Sequence, residues 1–260
     1  MTPTRQLKIL MIHGYTETGE TFRADNVELE HALRDAFPAA PAPGYHPSYP
    51  GGIQFVYPTG TWRLKPTDWA RYIPGTDPNY GWFYKVPDDE EFPGLTDGLA
   101  HLGDVMKTQG PFTGVIGYSQ GGFIAGLIAS LLEPGRREAF QHFVDQEDGI
   151  PYPEAFRGVE PIRFSISCCG FAGLSPRYKA FYSPKISSPL LHINGALDLQ
   201  VDDKRSRTLV DATAGEEEEK VLLHPGAHII PTKRLYTDAM IAWIKRQLVP
   251  VDCAKYIRDT

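Results

Sequence analysis

Ser119 lies in Gly117-Tyr118-Ser119-Gln120-Gly121, with glycines two residues before and two residues after it. A serine hydroxyl is a weak nucleophile until a base takes its proton, and a sharp strand-to-helix turn is one way of presenting it to that base. The pentad alone is a weak pattern, so its flanks must decide. Upstream, Thr113-Gly114-Val115-Ile116 is a short, apolar, β-branched run that reads as a buried strand. Downstream, residues 122–132 are apolar on nearly every face and read as a buried helix. The two glycines suit a turn at which strand and helix approach too closely for larger side chains. The chemistry implied is acyl transfer through a serine ester.

Such a serine needs a base, and the base needs a carboxylate to orient it. When the serine sits on an elbow of this kind, the acid and then the histidine follow it along the chain. Eight histidines are available. His13 precedes the serine; His31 and His101 fall in helical patterns, His46 in a proline-rich loop and His142 in a polar stretch. His192 lies within a predicted strand and His224 at the end of one. His228 follows Pro225-Gly226-Ala227, between the last predicted strand and the last helix, where a base is expected. For the acid, Leu190-Leu191-His192-Ile193-Asn194 is a strand and Gly195-Ala196-Leu197-Asp198 the loop leaving it. Asp202 and Asp203 are rivals, but both read as caps of the following helix. The candidate catalytic residues are therefore Ser119, Asp198 and His228.

A tetrahedral intermediate needs hydrogen-bond donors aimed at its oxyanion. One is the backbone N–H of Gln120, at the start of the helix after the serine. The other is the amide of Tyr15, in the turn made by His13-Gly14-Tyr15 after the first strand, with His13 itself structural. His224 and His228 also have the spacing of a helical zinc pair. Pro225 and Gly226 make a helix there untenable and no Glu follows His224, so no metal is expected. Neither a Gly-x-Gly-x-x-Gly nor a Gly-Lys-Ser/Thr pattern occurs, and no cofactor is expected.

The elements that must position these residues follow from hydrophobic pattern. Short apolar runs at 7–12, 53–57, 113–118, 162–168, 189–194 and 219–224 alternate with helical patterns near 21–36, 95–108, 120–132, 203–212 and 232–248. That is the signature of an α/β fold, a mostly parallel sheet of about six strands with helices on both faces. In 260 residues with 42% hydrophobic content, one α/β domain over 1–248 with a tail at 249–260 is the expectation. The net charge of −6 gives no support to nucleic-acid or anionic-membrane binding. No run reads as a transmembrane span or a signal-peptide core. Three cysteines, two of them the adjacent Cys168 and Cys169, make no disulfide framework and suit a reducing, cytoplasmic setting. The adjacent pair reads as buried and inert. The sequence carries no signal for an oligomeric state.

Two segments interrupt the rhythm. Residues 58–94 form a long loop dense in rings, among them Trp62, Trp69, Trp82 and Phe83. Laid over the elbow, these four would line an apolar acyl pocket, although the same rings could instead form the core of a lid. Residues 133–161 are a second insertion and a candidate flap.

The chain resembles the fungal family of serine hydrolases, related to the ovarian cancer-associated gene 2 proteins, which are compact α/β-hydrolases. The resemblance runs from residue 7 to about 248. It rests on Ile12-His13-Gly14-Tyr15, on Gly110 through Gly122 around the elbow, on Gly195-Ala196-Leu197-Asp198, and on His224-Pro225-Gly226-Ala227-His228-Ile229-Ile230-Pro231. It implies the same triad of Ser119, Asp198 and His228. Ala227 stands where the family more usually has glycine, and Leu199 where proline is common. The activity implied is that of a carboxylesterase or thioesterase. The implied partner is a small-molecule acyl ester or thioester, free or carrier-protein-bound, of the polyketide type that several members release or trim. A general carboxylesterase and a non-catalytic binding module are the alternatives.

Overall fold

The computed structural model describes residues 4–65, 79–84 and 91–249. Its centre is a six-stranded sheet of β1 (Leu7–Ile12), β2 (Ile53–Val56), β5 (Gly114–Tyr118), β6 (Phe164–Cys168), β7 (Leu190–Gly195) and β8 (Val221–His224). The strand order is β2-β1-β5-β6-β7-β8, and every pair is parallel. A parallel sheet is covered on both faces, which is why these strands read as unbroken apolar runs. The period of two still sorts their side chains. Leu10, Ile12 and Val115 face a core shared with the helices that precede and follow β5, whereas Leu7, Ile9, Met11 and Ile116 face a second core.

The first of those helices are α3 (Leu95–Gln109) and α4 (Gln120–Leu131), the latter buried along its whole length. The second core is closed by α2 (Val27–Ala36) through Leu29 and Leu33 and by α8 (Arg234–Leu248) through Met240, Trp243 and Ile244. The helix expected over 21–36 is two helices, α1 (Gly19–Asp25) and α2. They part at Asn26, whose side-chain amide donates to the Phe22 carbonyl at 2.8 Å and so satisfies the end of α1 while heading α2. Asp202 is the cap expected of it, accepting from the Arg205 amide at 2.8 Å at the head of α6 (Asp203–Asp211).

The insertion at 133–161 folds as α5 (Arg136–Asp145) and a 3-10 turn at Glu154–Phe156. Phe140, Phe143 and Phe156 enter the first core, so this segment is packed framework. Its root is held by Arg136, only 1% exposed, which pairs with Glu133 and donates to the carbonyls of Ala180 and Pro184 at 3.2 and 2.7 Å. Within 58–94, β3 (Trp62–Arg63) and β4 (Tyr80–Gly81) form a two-stranded antiparallel ribbon. Trp69 and nearly all of the expected tail lie outside the described residues. A one-turn helix, α7 (Glu217–Lys220), leads into β8.

Candidate active site

Ser119 occupies the turn between β5 and α4 with φ 53° and ψ −114°. Positive φ at a residue with a Cβ is strained and persists only where the surroundings impose it. Here they do. A Cβ at Gly117 would lie 1.9 Å from the Gly121 carbonyl oxygen, and one at Gly121 would lie 2.1 Å from that of Ile12. The serine amide donates to the Cys168 carbonyl at 2.8 Å, pinning the elbow to β6.

His228 bridges the other two candidates. Its Nε2 lies 2.8 Å from Ser119 Oγ and its Nδ1 lies 2.6 Å from Asp198 Oδ2. A carboxylate only accepts, so Nδ1 carries the proton, leaving Nε2 to accept from the serine hydroxyl. The second Asp198 oxygen accepts from the amides of Gln200 and Val201, each at 2.9 Å. Burial pushes the Asp198 carboxyl up, but the His228 hydrogen bond and the two amides outweigh it and hold the group below the usual carboxylate range. The acid's loop is tied to the base's loop by Ala196 N–H to the His224 carbonyl at 2.8 Å and Leu197 N–H to that of Gly226 at 3.0 Å. Leu199 is 93% exposed and Ala227 is exposed, so neither family departure enters this arrangement.

The candidate oxyanion residues come together around Gly81. A Cβ there would meet the Tyr15 ring at 2.8 Å and the Gln120 side-chain oxygen at 3.1 Å. Gln120 begins α4, where backbone N–H groups and the helix dipole favour negative charge. Its side chain also ties down the aromatic segment, for Oε1 accepts from the Trp82 amide at 2.6 Å and Nε2 donates to the Phe83 carbonyl at 2.9 Å. The turn carrying Tyr15 is braced by Glu17, which accepts from the Gly14 amide at 2.6 Å, and by the Thr16 amide donating to the Tyr80 carbonyl at 2.9 Å.

The aromatic residues divide differently from the expectation that they line a pocket. Trp82 is fully buried with its ring 4.9 Å from that of His13, and its indole N–H donates to the His13 carbonyl at 3.0 Å. Phe83 is 1% exposed and packs against Phe92 and Phe123. Both are core, because the Gln120 amide draws their backbone down onto α4. Trp62 is half-buried, 6.0 Å from the Tyr84 ring.

His13 is structural as expected: Nδ1 donates to the Gly14 carbonyl at 2.6 Å, Nε2 accepts from the Gly60 amide at 2.8 Å, and burial lowers its pKa to about 4. His224 is buried and accepts from the Gly226 amide at 3.1 Å. Among the described residues, Cys169, Asp198 and His228 are the one group of three side chains with metal-capable atoms close together, all within 4.8 Å. Asp198 and His228 are engaged with each other. Burial and the neighbouring Asp198 push the Cys169 thiol up to about 12, so it keeps its proton, and these residues do not offer a metal a vacant set of donors. The sequence reading missed the side-chain roles of Tyr118, Gln120, Glu17 and Cys169. Only Cys169 left a signal, its place at the end of the strand beside the acid's strand.

A parallel sheet presenting a strained serine to a buried histidine–aspartate pair defines a serine hydrolase with the α/β-hydrolase fold. The model of the serine hydrolase (FSH1) family matches residues 1–240, and the chain belongs to that family. It is 28% identical over 240 residues to a Schizosaccharomyces pombe protein named dihydrofolate reductase, covering 90% of this chain and 46% of that one, so it spans less than half of that relative. It is 26% identical to esterase OVCA2 of Danio rerio, over 92% of this chain and 97% of the relative. Maize acyl-protein thioesterase 2 shares the fold, with a TM-score of 0.55 at 19% identity over 95% of this chain and 96% of that one.

Proposed function

We propose that the chain hydrolyses acyl esters or thioesters through an acyl-enzyme on Ser119. The observation that carries this is the bridging imidazole, 2.8 Å from the serine oxygen and 2.6 Å from the aspartate. As Ser119 Oγ bonds to the acyl carbon, His228 Nε2 takes the hydroxyl proton and Asp198 steadies the imidazolium that forms. The amides of Tyr15 and Gln120 are assigned to the oxyanion. Collapse expels the alcohol or thiol with the proton from Nε2, and water repeats the sequence to release the carboxylic acid and free serine. A fluorophosphonate probe should label the wild-type protein and not Ser119→Ala. Labelling that survives the substitution would place the nucleophile at another residue, and a wild type that neither labels nor hydrolyses esters would leave a non-catalytic binding module.

For the acyl group, the finer reading is a medium-length or cyclic chain of polyketide type, presented as a free or carrier-bound thioester. Its supports are the family resemblance and the ring density of 58–94. The burial of Trp82 and Phe83 favours a second reading, a general small-molecule carboxylesterase, because it leaves Trp62 as the described member of the set that is not buried. Each buried methylene contributes roughly 0.8 kcal/mol, so three or four added carbons should raise kcat/KM about ten- to a hundredfold over acetyl if the chain is bound in the transition state. A thioester series from acetyl to decanoyl, with Trp62→Ala flattening the trend, supports the finer reading; fastest turnover on acetyl supports the general esterase. One catalytic domain over 1–248 and a cytoplasmic setting belong to the same proposal. Among the described residues Cys168 and Cys169 are free and buried, and no helix is long and apolar enough to cross a membrane.

A further inference from the structure

Cys169 has a backbone that its side chain does not favour. It follows β6 with φ 52°, one of four non-glycine residues described with positive φ, and Ser119 is another. Its amide donates to the Ile193 carbonyl on β7 at 2.8 Å, which fixes the turn. The turn places a thiol, 1% exposed, beside the Asp198–His228 pair. The sulfur lies within 4.8 Å of both the carboxylate and the imidazole and 3.5 Å from the carbonyl oxygen of Ile229, the residue after the base. So the acid's loop and the base's loop both rest on one sulfhydryl group.

We propose that Cys169 is a positioning residue for the acid–base pair, its S–H directed into the Asp198 carboxylate and the Ile229 carbonyl so that it fixes the pair's geometry and moderates the carboxylate's pull on the imidazole. This rests on the assignment of Asp198 and His228 as acid and base. A neutral donor suits the place. The titratable groups facing the thiol are Asp198 and His228 from the loops after β7 and β8, Cys168 on β6 and Tyr118 on β5. A thiolate beside Asp198 would be two like charges in a buried site, and burial with that carboxylate keeps the thiol protonated. A donor to the carboxylate reduces the negative charge felt by His228. Removing it strengthens the imidazolium and moves the acidic limb of kcat/KM to higher pH; a hydroxyl, the stronger donor, moves it the other way.

The test compares wild type, Cys169→Ala and Cys169→Ser in kcat/KM against pH with a p-nitrophenyl acyl ester, and in the downfield proton resonance of the His228 Nδ1–H. Cys169→Ala should shift the acidic limb upward by about half a unit and lower kcat about three- to thirtyfold with KM nearly unchanged, while Cys169→Ser restores kcat to within about threefold. An unmoved limb and an unmoved resonance in both variants would overturn the proposal, as would a Ser variant no better than Ala. If the Ala variant does not fold, Cys169→Ser decides: its limb must fall and its resonance shift, and no change in either refutes the role. The resonance is present whether or not the protein turns over ester. A wild type with no Ser119-dependent hydrolysis therefore sinks the function, and an unresponsive resonance sinks the positioning role.

Discussion

The hydroxyl of Tyr118 donates to the carbonyl of His228 at 2.8 Å, and the two rings lie 5.1 Å apart. The residue immediately before the serine thus holds the main chain of the histidine that touches the serine. Burial pushes the Tyr118 phenol well above its ordinary range, so it remains a donor throughout the working pH range. Tyr118→Phe keeps the ring and deletes the bond. The expected cost is about 1–1.5 kcal/mol of stability, and kcat/KM should fall roughly three- to thirtyfold with the pH profile in place. Urea unfolding and steady-state kinetics check both; unchanged kinetics would show that the base loop is held without the phenol.

His224, which ends β8, and His228 in the loop after it should separate cleanly. His228→Ala removes the group that touches Ser119 and should cost on the order of 10⁴-fold in kcat. His224→Ala should keep kcat within about tenfold, because His224 contributes to the site by its backbone, whose carbonyl accepts from Ala196 whatever the side chain. Equal losses in single-turnover kinetics of both variants would contradict the assignment of the base.

The sheet, the alternation of its strands and helices along the chain, and the residues meeting at Ser119 were legible because each rests on a local rule: apolar runs for buried strands, glycines where a Cβ has no room, and chain order for the triad. Lid and wall were not. Ring density in 58–94 reports that large apolar surface will be buried, but not against what. For Trp82 and Phe83 the decision lies with the side chain of Gln120, 38 and 37 residues away. The break at Asn26 escaped for a similar reason, since a single residue between two successive helices, its side chain bonded only to the first, leaves the hydrophobic period unbroken.

Acid should destabilise the fold above the usual range of carboxylate titration. Burial lowers His13 to about 4 and His192, which is bonded to Thr213 Oγ1 at 3.1 Å, to about 3. The unfolded chain takes up these protons near pH 6.5, so the stability from both is complete above that value and drains away as pH falls toward 4 and then 3. At about 1.36 kcal/mol per unit, the two together supply several kcal/mol. Asp198, Glu30 and Glu133 are depressed carboxylates whose stabilisation fails only below their ordinary range, so between 6.5 and about 4.5 the loss comes from the histidines, set against an opposite contribution from Glu17. His192→Gln should show a smaller loss between pH 7 and 4.5 in urea unfolding; the same slope as wild type would remove His192 from the account.

Glu17 works against that loss. Burial raises its carboxyl to about 7; the Gly14 amide opposes the shift and Asp25 adds to it. The folded state therefore holds a proton that the unfolded chain loses near pH 4.5. Stability from this group is full at low pH and disappears as pH rises through 7, opposite in sign to His13. The difference is worth up to about 3 kcal/mol, less the share that its partial exposure lets water screen. Glutamine at this position can accept from the Gly14 amide through its carbonyl oxygen without ever ionising. Glu17→Gln should consequently be more stable than wild type at pH 8 by about 1–2 kcal/mol, and it should lose stability more steeply on going from pH 7 to 4.5, because the histidine contribution then runs without its counterweight. Unfolding midpoints at pH 4.5, 7 and 8 measure both effects, and a variant that parallels wild type at all three would mean that Glu17 is ionised in the folded protein throughout.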